Sequence, residues 1–219
     1  MNQEVLRIER SVRDRNDSDK VLINYWLYFF LLSWITLGIM GLVLFFQRIG
    51  RVDKFINRKN TYFEGLVNYC EQISKEKNKY DELSTQINKL KDVYEYEFLK
   101  KNKTINAGLS LLLTIITLGI WGIVVMYKLN KAWDSLQRAE QKFYDELNPI
   151  LTKLELTKYP INFKIRNNKS RSFILYIFLS IITLGIWGIV WDYKIHTDAD
   201  DLYPEFHTAE DSVLGAIKQ

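Results

Sequence analysis

Both histidines and seven carboxylates of this 219-residue chain fall from Asp192 onward, the densest grouping of side chains that could do chemistry. His196-x-Asp198-x-Asp200-Asp201, with Glu205 and His207 beyond, reads as a possible oxygen-rich set of cation ligands. The spacing matches no EF-hand loop, and a solvated acidic tail without a metal is the plainer expectation. No Walker loop, Gly-x-Ser-x-Gly or His-Glu-x-x-His occurs anywhere. Cys70 is the sole cysteine, which excludes an intramolecular disulfide and a multi-cysteine zinc site. A non-enzymatic protein without a cofactor is expected.

A second set of polar side chains lies in apolar surroundings. Ile115–Val124, Ile-Ile-Thr-Leu-Gly-Ile-Trp-Gly-Ile-Val, returns unchanged at Ile181–Val190, and Trp34–Val43 is a looser copy. The copies align on Thr36, Thr117 and Thr183. A hydroxyl stands three residues before each (Ser33, Thr114, Ser180), and glycines follow at Gly38/Gly41, Gly119/Gly122 and Gly185/Gly188. Inside a membrane such hydroxyls bond back to their own helix, bridge to a neighbour, or line a pore.

The elements that hold these motifs are Val21–Phe46, Ala107–Met126 and Phe173–Trp191, unbroken blocks without Lys, Arg, Asp or Glu. Their length and apolarity suit membrane segments. Two arrangements are open. Each block spans as one straight helix, or the chain turns at Thr-Leu-Gly, where glycine ends one limb in the left-handed conformation and a second limb starts near Ile120 or Ile186. Limbs of about ten residues rise about 15 Å, half of the hydrocarbon thickness. Backbone freed at such a turn is expected to need packing between repeats or subunits.

Lys and Arg number 5 before the first block, 13 and 10 in the two connectors and 2 in the tail. Three spans would place 15 on each side, where the positive-inside rule expects a bias. Copies two and three also carry bases on both flanks. Hairpins that leave and return on one face are therefore favoured. The chain divides into a polar segment 1–20, membrane segment 21–46, charged coiled-coil connector 47–106, membrane segment 107–126, helical connector 127–171 with a basic juxtamembrane stretch, membrane segment 172–191 and acidic tail 192–219.

From Thr61 to Lys101 the chain reads as one long helix without proline. Its seam, tightest over Tyr80, Leu83, Ile87, Leu90 and Tyr94 and interrupted at Glu76, has heptad spacing. The second connector repeats such a seam to Leu147, and no Gly or Pro interrupts it between Gly122 and Pro149. The seams either pack on each other within one subunit or form an intersubunit coiled coil. Lys164, Arg166, Lys169 and Arg171, interleaved with Tyr159, Ile161, Phe163 and Ile165, suit anionic lipid headgroups better than nucleic acid beside a membrane block.

Thr-Leu-Gly-Ile-Trp-Gly-Ile-Val followed by Tyr-Lys resembles a group of small bacterial membrane proteins of unknown function with a recurring Thr-Leu-Gly-Ile-Tyr/Trp segment. Copy one departs from it with Met40 and Phe45-Phe46-Gln47. The resemblance covers the three blocks and implies residence in the bacterial inner membrane. The expectation is an all-α membrane protein with re-entrant hairpins and connectors in the cytoplasm, self-associating into a scaffold that deforms the bilayer. The alternative is an oligomeric channel or membrane-perturbing effector, with a soluble protein partner in a stress or antiphage system.

Overall fold

The computed structural model describes residues 2–37, 39–166 and 171–218, and all regular structure among them is helical. Three helices dominate: α5 (Ile39–Glu76), α8 (Ile120–Lys153) and α10 (Ile186–Ile217). Each begins directly after a Thr-Leu-Gly motif. Short apolar limbs lead into them: Tyr25–Ile35 (α3 Tyr25–Leu27, a π-helical stretch Tyr28–Leu32, α4 Ser33–Ile35), α7 (Ala107–Ile116) and α9 (Phe173–Ile182). The apolar blocks are therefore helix–turn–helix hairpins, and no helix among the described residues is long and apolar enough to cross a membrane.

The long helices run parallel. Phe55 meets Trp133 at 5.2 Å between ring centroids, Lys59 meets Glu140, and Phe63 meets Phe143 at 4.2 Å, a register that climbs together along α5 and α8. On α10, Arg48 pairs with Asp192, Arg51 with Asp200 and Arg58 with Glu210. Lys59 and Glu140 lie equally far beyond the starts of their helices, Ile39 and Ile120, and Glu210 lies one turn farther beyond Ile186. At 1.5 Å per residue the three turns sit at one end of the molecule, about 30 Å from this shared level.

The expected helix from Thr61 to Lys101 is broken. The chain turns at Lys77–Lys79, where Asn78 is left-handed (φ 54°) and the Lys79 N–H closes onto the Ser74 carbonyl at 2.8 Å. The break follows Glu76, the charged residue in the seam. Helix α6 (Tyr80–Asp92) and the π-helical stretch Val93–Leu99 that continues it then return antiparallel to α8, with Lys153–Glu82, Lys89–Glu146 and Lys142–Glu97 as successive pairs. Leu83, Ile87, Leu90 and Tyr94 are buried in this same-chain core, and Tyr80 packs at its edge. The residues assigned to an oligomer seam are covered within one chain.

The N-terminal and C-terminal segments are also structural. Helix α1 (Gln3–Arg13) lays Val5 and Ile8 on α5, and α2 (Arg15–Ser18) follows it. The tail expected to be solvated forms all of α10 beyond its first six residues, and it buries Ile195, Leu202, Phe206, Ala209 and Val213. Apolar residues at this spacing form one helical stripe, and packing of that stripe overrides the high charge of the segment. Residues 154–166 run back along α8, held by three amide side chains on it. The Asn148 side chain accepts from the Ile161 N–H and donates to its carbonyl, Gln137 accepts from Arg166 N–H, and Asn130 donates to the Arg171 carbonyl.

Candidate functional site

The three hairpin turns are built alike. In the second, Thr117 N–H donates to Leu113 O at 2.9 Å, Leu118 to Ile115 O at 3.2 Å, Gly119 to Thr114 O at 2.8 Å and Ile120 to Thr117 O at 3.1 Å. The Thr117 hydroxyl donates backwards to Leu113 O at 2.7 Å and accepts from Trp121 N–H at 2.9 Å, capping the first limb and starting the second. The third turn repeats every bond with Thr183, Leu184, Gly185, Ile186 and Trp187. In the first, Thr36 bonds Leu32 O and receives Met40 N–H. Five consecutive N–H groups of turns two and three thus have partners inside the hairpin. The threonine side chain supplies the acceptor for the last of these five donors.

Glycine is required here for two reasons. Gly119 and Gly185 have φ of 94° and 92°, where a Cβ is strained. Gly122 lets the limbs meet closely, since a Cβ there would lie 3.3 Å from Thr114 Cγ2, whereas at Gly188 one would make an ordinary 3.5 Å contact with Ser180 Oγ. In the first hairpin Gly41 faces the Tyr28 hydroxyl at 3.5 Å. Gly38, and the side chain of Ser33, lie outside the described residues. Thr114 and Ser180 bond the carbonyls four residues back, as Thr36, Thr117 and Thr183 do.

A leucine forms each apex. Leu37, Leu118 and Leu184 are 93, 94 and 94 % exposed, all with positive φ. Beneath them Trp34, Ile35, Ile39, Ile115, Ile116, Ile120, Ile181, Ile182 and Ile186 are exposed on all sides of the hairpins. Apolar surface of this extent is otherwise found where a protein meets a partner or a membrane. At their feet the hairpins lean on one another: Tyr25 and Trp26 contact Tyr193 at 5.4 and 5.5 Å, and Tyr127 contacts Phe173 at 5.2 Å. Trp191 donates to Asn130 at 2.9 Å.

The basic stretch is divided. Lys164 is exposed, and Arg166 is exposed while pairing with Glu205 at 3.2 Å. Lys169 lies outside the described residues. Arg171 does not face solvent or headgroups; it is buried in a two-bond pair with Asp198, at 2.5 and 2.7 Å. Ile161 and Phe163 are core residues, because the amide ladder turns them inward.

Asp198, Asp200 and Glu205, three of the four acids considered as cation ligands, are counter-ions. Asp198 holds Arg171, Asp200 holds Arg51, Glu205 holds Arg166 and His207 bonds Asp19 at 2.7 Å. The His196 Nε2–H donates to Ile23 O at 2.7 Å, and burial holds its imidazole down to about 4. Deeper, Lys59 sits between Glu140 and Glu210, and Glu210 also receives Arg58 and Arg15. Burial pushes Glu140 up to about 7 despite Lys59. Burial would raise Glu210 too, but Lys59, Arg58 and Arg15 together bring it to about 2. This cluster has no local sequence signature; its one trace is the surplus of bases before residue 192 and of acids after it.

Residues 171–216 match the model of a family described as a domain of unknown function (DUF4234). The match spans the third hairpin and most of α10. No curated protein and no solved structure matched the chain.

Proposed function

We propose that this chain is a non-enzymatic membrane-surface protein, needing no cofactor, whose three hairpins enter one leaflet and hold the charged helical bundle against the cytoplasmic face. The self-contained apex carries the reading. An unsatisfied N–H costs several kcal/mol in hydrocarbon, and here five successive donors at the turn are met internally while leucine projects outward.

Dimensions agree with shallow insertion. The ten residues of α7 or α9 rise about 15 Å, the depth of one leaflet. Parallel α5, α8 and α10 bring the apices to one end, and Lys100, Lys101, Lys103, Lys128 and Lys131 flank the second hairpin on the same side, as a cytoplasmic orientation requires. Apolar volume added to one leaflet wedges it, so the assembly shapes or selects curved bilayer. Nothing in the geometry favours a pore, since the motif hydroxyls bond their own backbone.

The test is flotation with phosphatidylcholine vesicles. Wild-type chain should rise with the vesicles, and better with vesicles of 30 nm than of 200 nm diameter, sizes roughly bracketing strong and weak curvature. Leu118→Asp/Leu184→Asp should stay at the bottom with unchanged helical circular dichroism. A wild type that does not float, or a variant that floats equally, ends the proposal.

A further inference from the structure

Between the foot of the second hairpin and the bundle lies a recess of about 320 Å³. Val52, Ile56, Ile105 and Leu136 contribute apolar wall, and five lysines (Lys100, Lys101, Lys103, Lys128, Lys131) surround it, with no carboxylate among the lining residues. Three of them have other contacts: Lys101 pairs with Glu97 at 2.6 Å, Lys100 lies over the Tyr96 ring and Lys128 over Trp121. Lys103 and Lys131 have no acidic partner among the described residues. Elsewhere in this protein buried cations face acids, as at Arg48, Arg51, Arg58, Lys59 and Arg171. Four of the five recess lysines are exposed and Lys131 is half-buried, so their ammonium groups stand open to a ligand. A second recess of about 470 Å³ at the foot of the first hairpin has Lys20 and Lys54 but also Asp17, and its Arg51 is already paired.

We infer that the lysine recess binds the phosphate of an anionic lipid headgroup, with an acyl chain passing along the exposed side of the second hairpin. The inference rests on the membrane reading above. Depth supports it: Lys100–Lys103 precede α7 and its apolar limb, and Lys128 follows Ile120 by about 12 Å of helix. With the hairpin inserted, the lysines stand at the phosphate layer. An ammonium ring round an apolar floor suits a monoanionic or dianionic phosphate attached to a lipid, and Ser135 at the rim can donate to it.

The experiment compares three proteins: wild type, Lys103→Gln/Lys131→Gln, and a control with two exposed lysines outside the recess changed, Lys91→Gln/Lys158→Gln. Each is floated with vesicles of phosphatidylcholine alone and with 30 % phosphatidylglycerol, roughly the content that gives a strong surface potential. Wild type and control should bind the anionic vesicles at least about tenfold better than the neutral ones. The recess variant should lose most of that gain while binding neutral vesicles normally. Equal loss in recess and control variants, or no gain with phosphatidylglycerol in wild type, overturns the inference and leaves the hairpin reading standing. No binding to any vesicle overturns both. Glycerol 1-phosphate added at millimolar concentration should not abolish the gain; if it does, and binds the wild type but not the recess variant in solution, the site is for a soluble phosphate and the lipid assignment fails.

Discussion

The ammonium of Lys59 on α5 lies 2.5 Å from the carboxylate of Glu210 on α10, and both side chains are completely buried. Glu140 approaches the same ammonium from α8, so one lysine joins the three long helices at the level where they share a register. Removing it leaves Glu140 without a cation in the core, and Glu210 with only Arg58 and Arg15. Lys59→Met should cost about 3–5 kcal/mol, the usual penalty for breaking a buried pair from one side, measured by urea unfolding. Glu140→Gln should cost clearly less, because Arg58 and Arg15 still hold Glu210.

Two buried groups titrate with opposite sign. His196 is held below its ordinary 6.5, to about 4, by burial beside Arg48 and Arg51; its contribution is present above 6.5 and lost as pH falls through about 4. Glu140 is raised from 4.5 to about 7, so its contribution is present below 4.5 and lost as pH rises through about 7. Between pH 4.5 and 6.5 the two oppose, and wild-type stability should change little on their account. His196→Gln keeps a donor for Ile23 O and removes the first effect. Its unfolding free energy should fall relative to wild type as pH rises across this window, by about 2–3 kcal/mol in total.

The close approach at Gly122 is open to a double-mutant cycle. Gly122→Ala places a Cβ 3.3 Å from Thr114 Cγ2 and should destabilise by about 1 kcal/mol or more. Thr114→Ser removes that methyl and retains the hydroxyl. The double variant should recover much of the loss, with an interaction energy above about 0.5 kcal/mol in thermal or urea unfolding. Additive losses would mean the limbs already part to admit the methyl.

Gly119→Ala isolates the backbone. No atom lies within 4 Å of the added Cβ, so the cost is that of a left-handed alanine, about 1–2 kcal/mol. Gly185→Ala should match it within experimental error, since the third turn has nearly the same dihedral and the same neighbours.

Thr117→Val/Thr183→Val keeps shape and deletes the caps, orphaning the N–H groups of Trp121 and Trp187. In water the loss should be modest, about 1 kcal/mol per turn. Flotation with phosphatidylcholine should suffer more than stability does, because hydrocarbon offers those donors no substitute. Equal damage in both assays would mean the turns stay in water.

The hairpins were legible in the sequence because everything that makes them is local. Thr117, Leu118 and Gly119 close the turn with bonds to Leu113, Ile115 and Thr114, all close by in the chain, so identical copies must fold alike. The break at Asn78 was half legible: Glu76 interrupts the seam, yet nothing in Thr61–Lys101 announces a left-handed asparagine. Arg171 and the acidic residues of α10 were misassigned because charge near an apolar block has two readings, solvent or partner, and only distance chooses. The partners are remote in the chain for Arg171–Asp198, and far more so for Arg48, Arg51 and Arg58 on α10.

By itself, then, the sequence determined the local chemistry: three apolar blocks, each turned by Thr-Leu-Gly, separated by amphipathic helices. Those outcomes depend on side chains and backbone within a turn or two of one another. The tertiary structure decided what the helices do together. It set α5, α8 and α10 parallel so that the apices share one end, consumed the Leu83–Tyr94 seam within one chain, and used the acidic tail to neutralise basic α5. Those choices belong to long-range burial, where a charge enters the core only if its counter-charge arrives with it, and no sequence neighbour records which one that is.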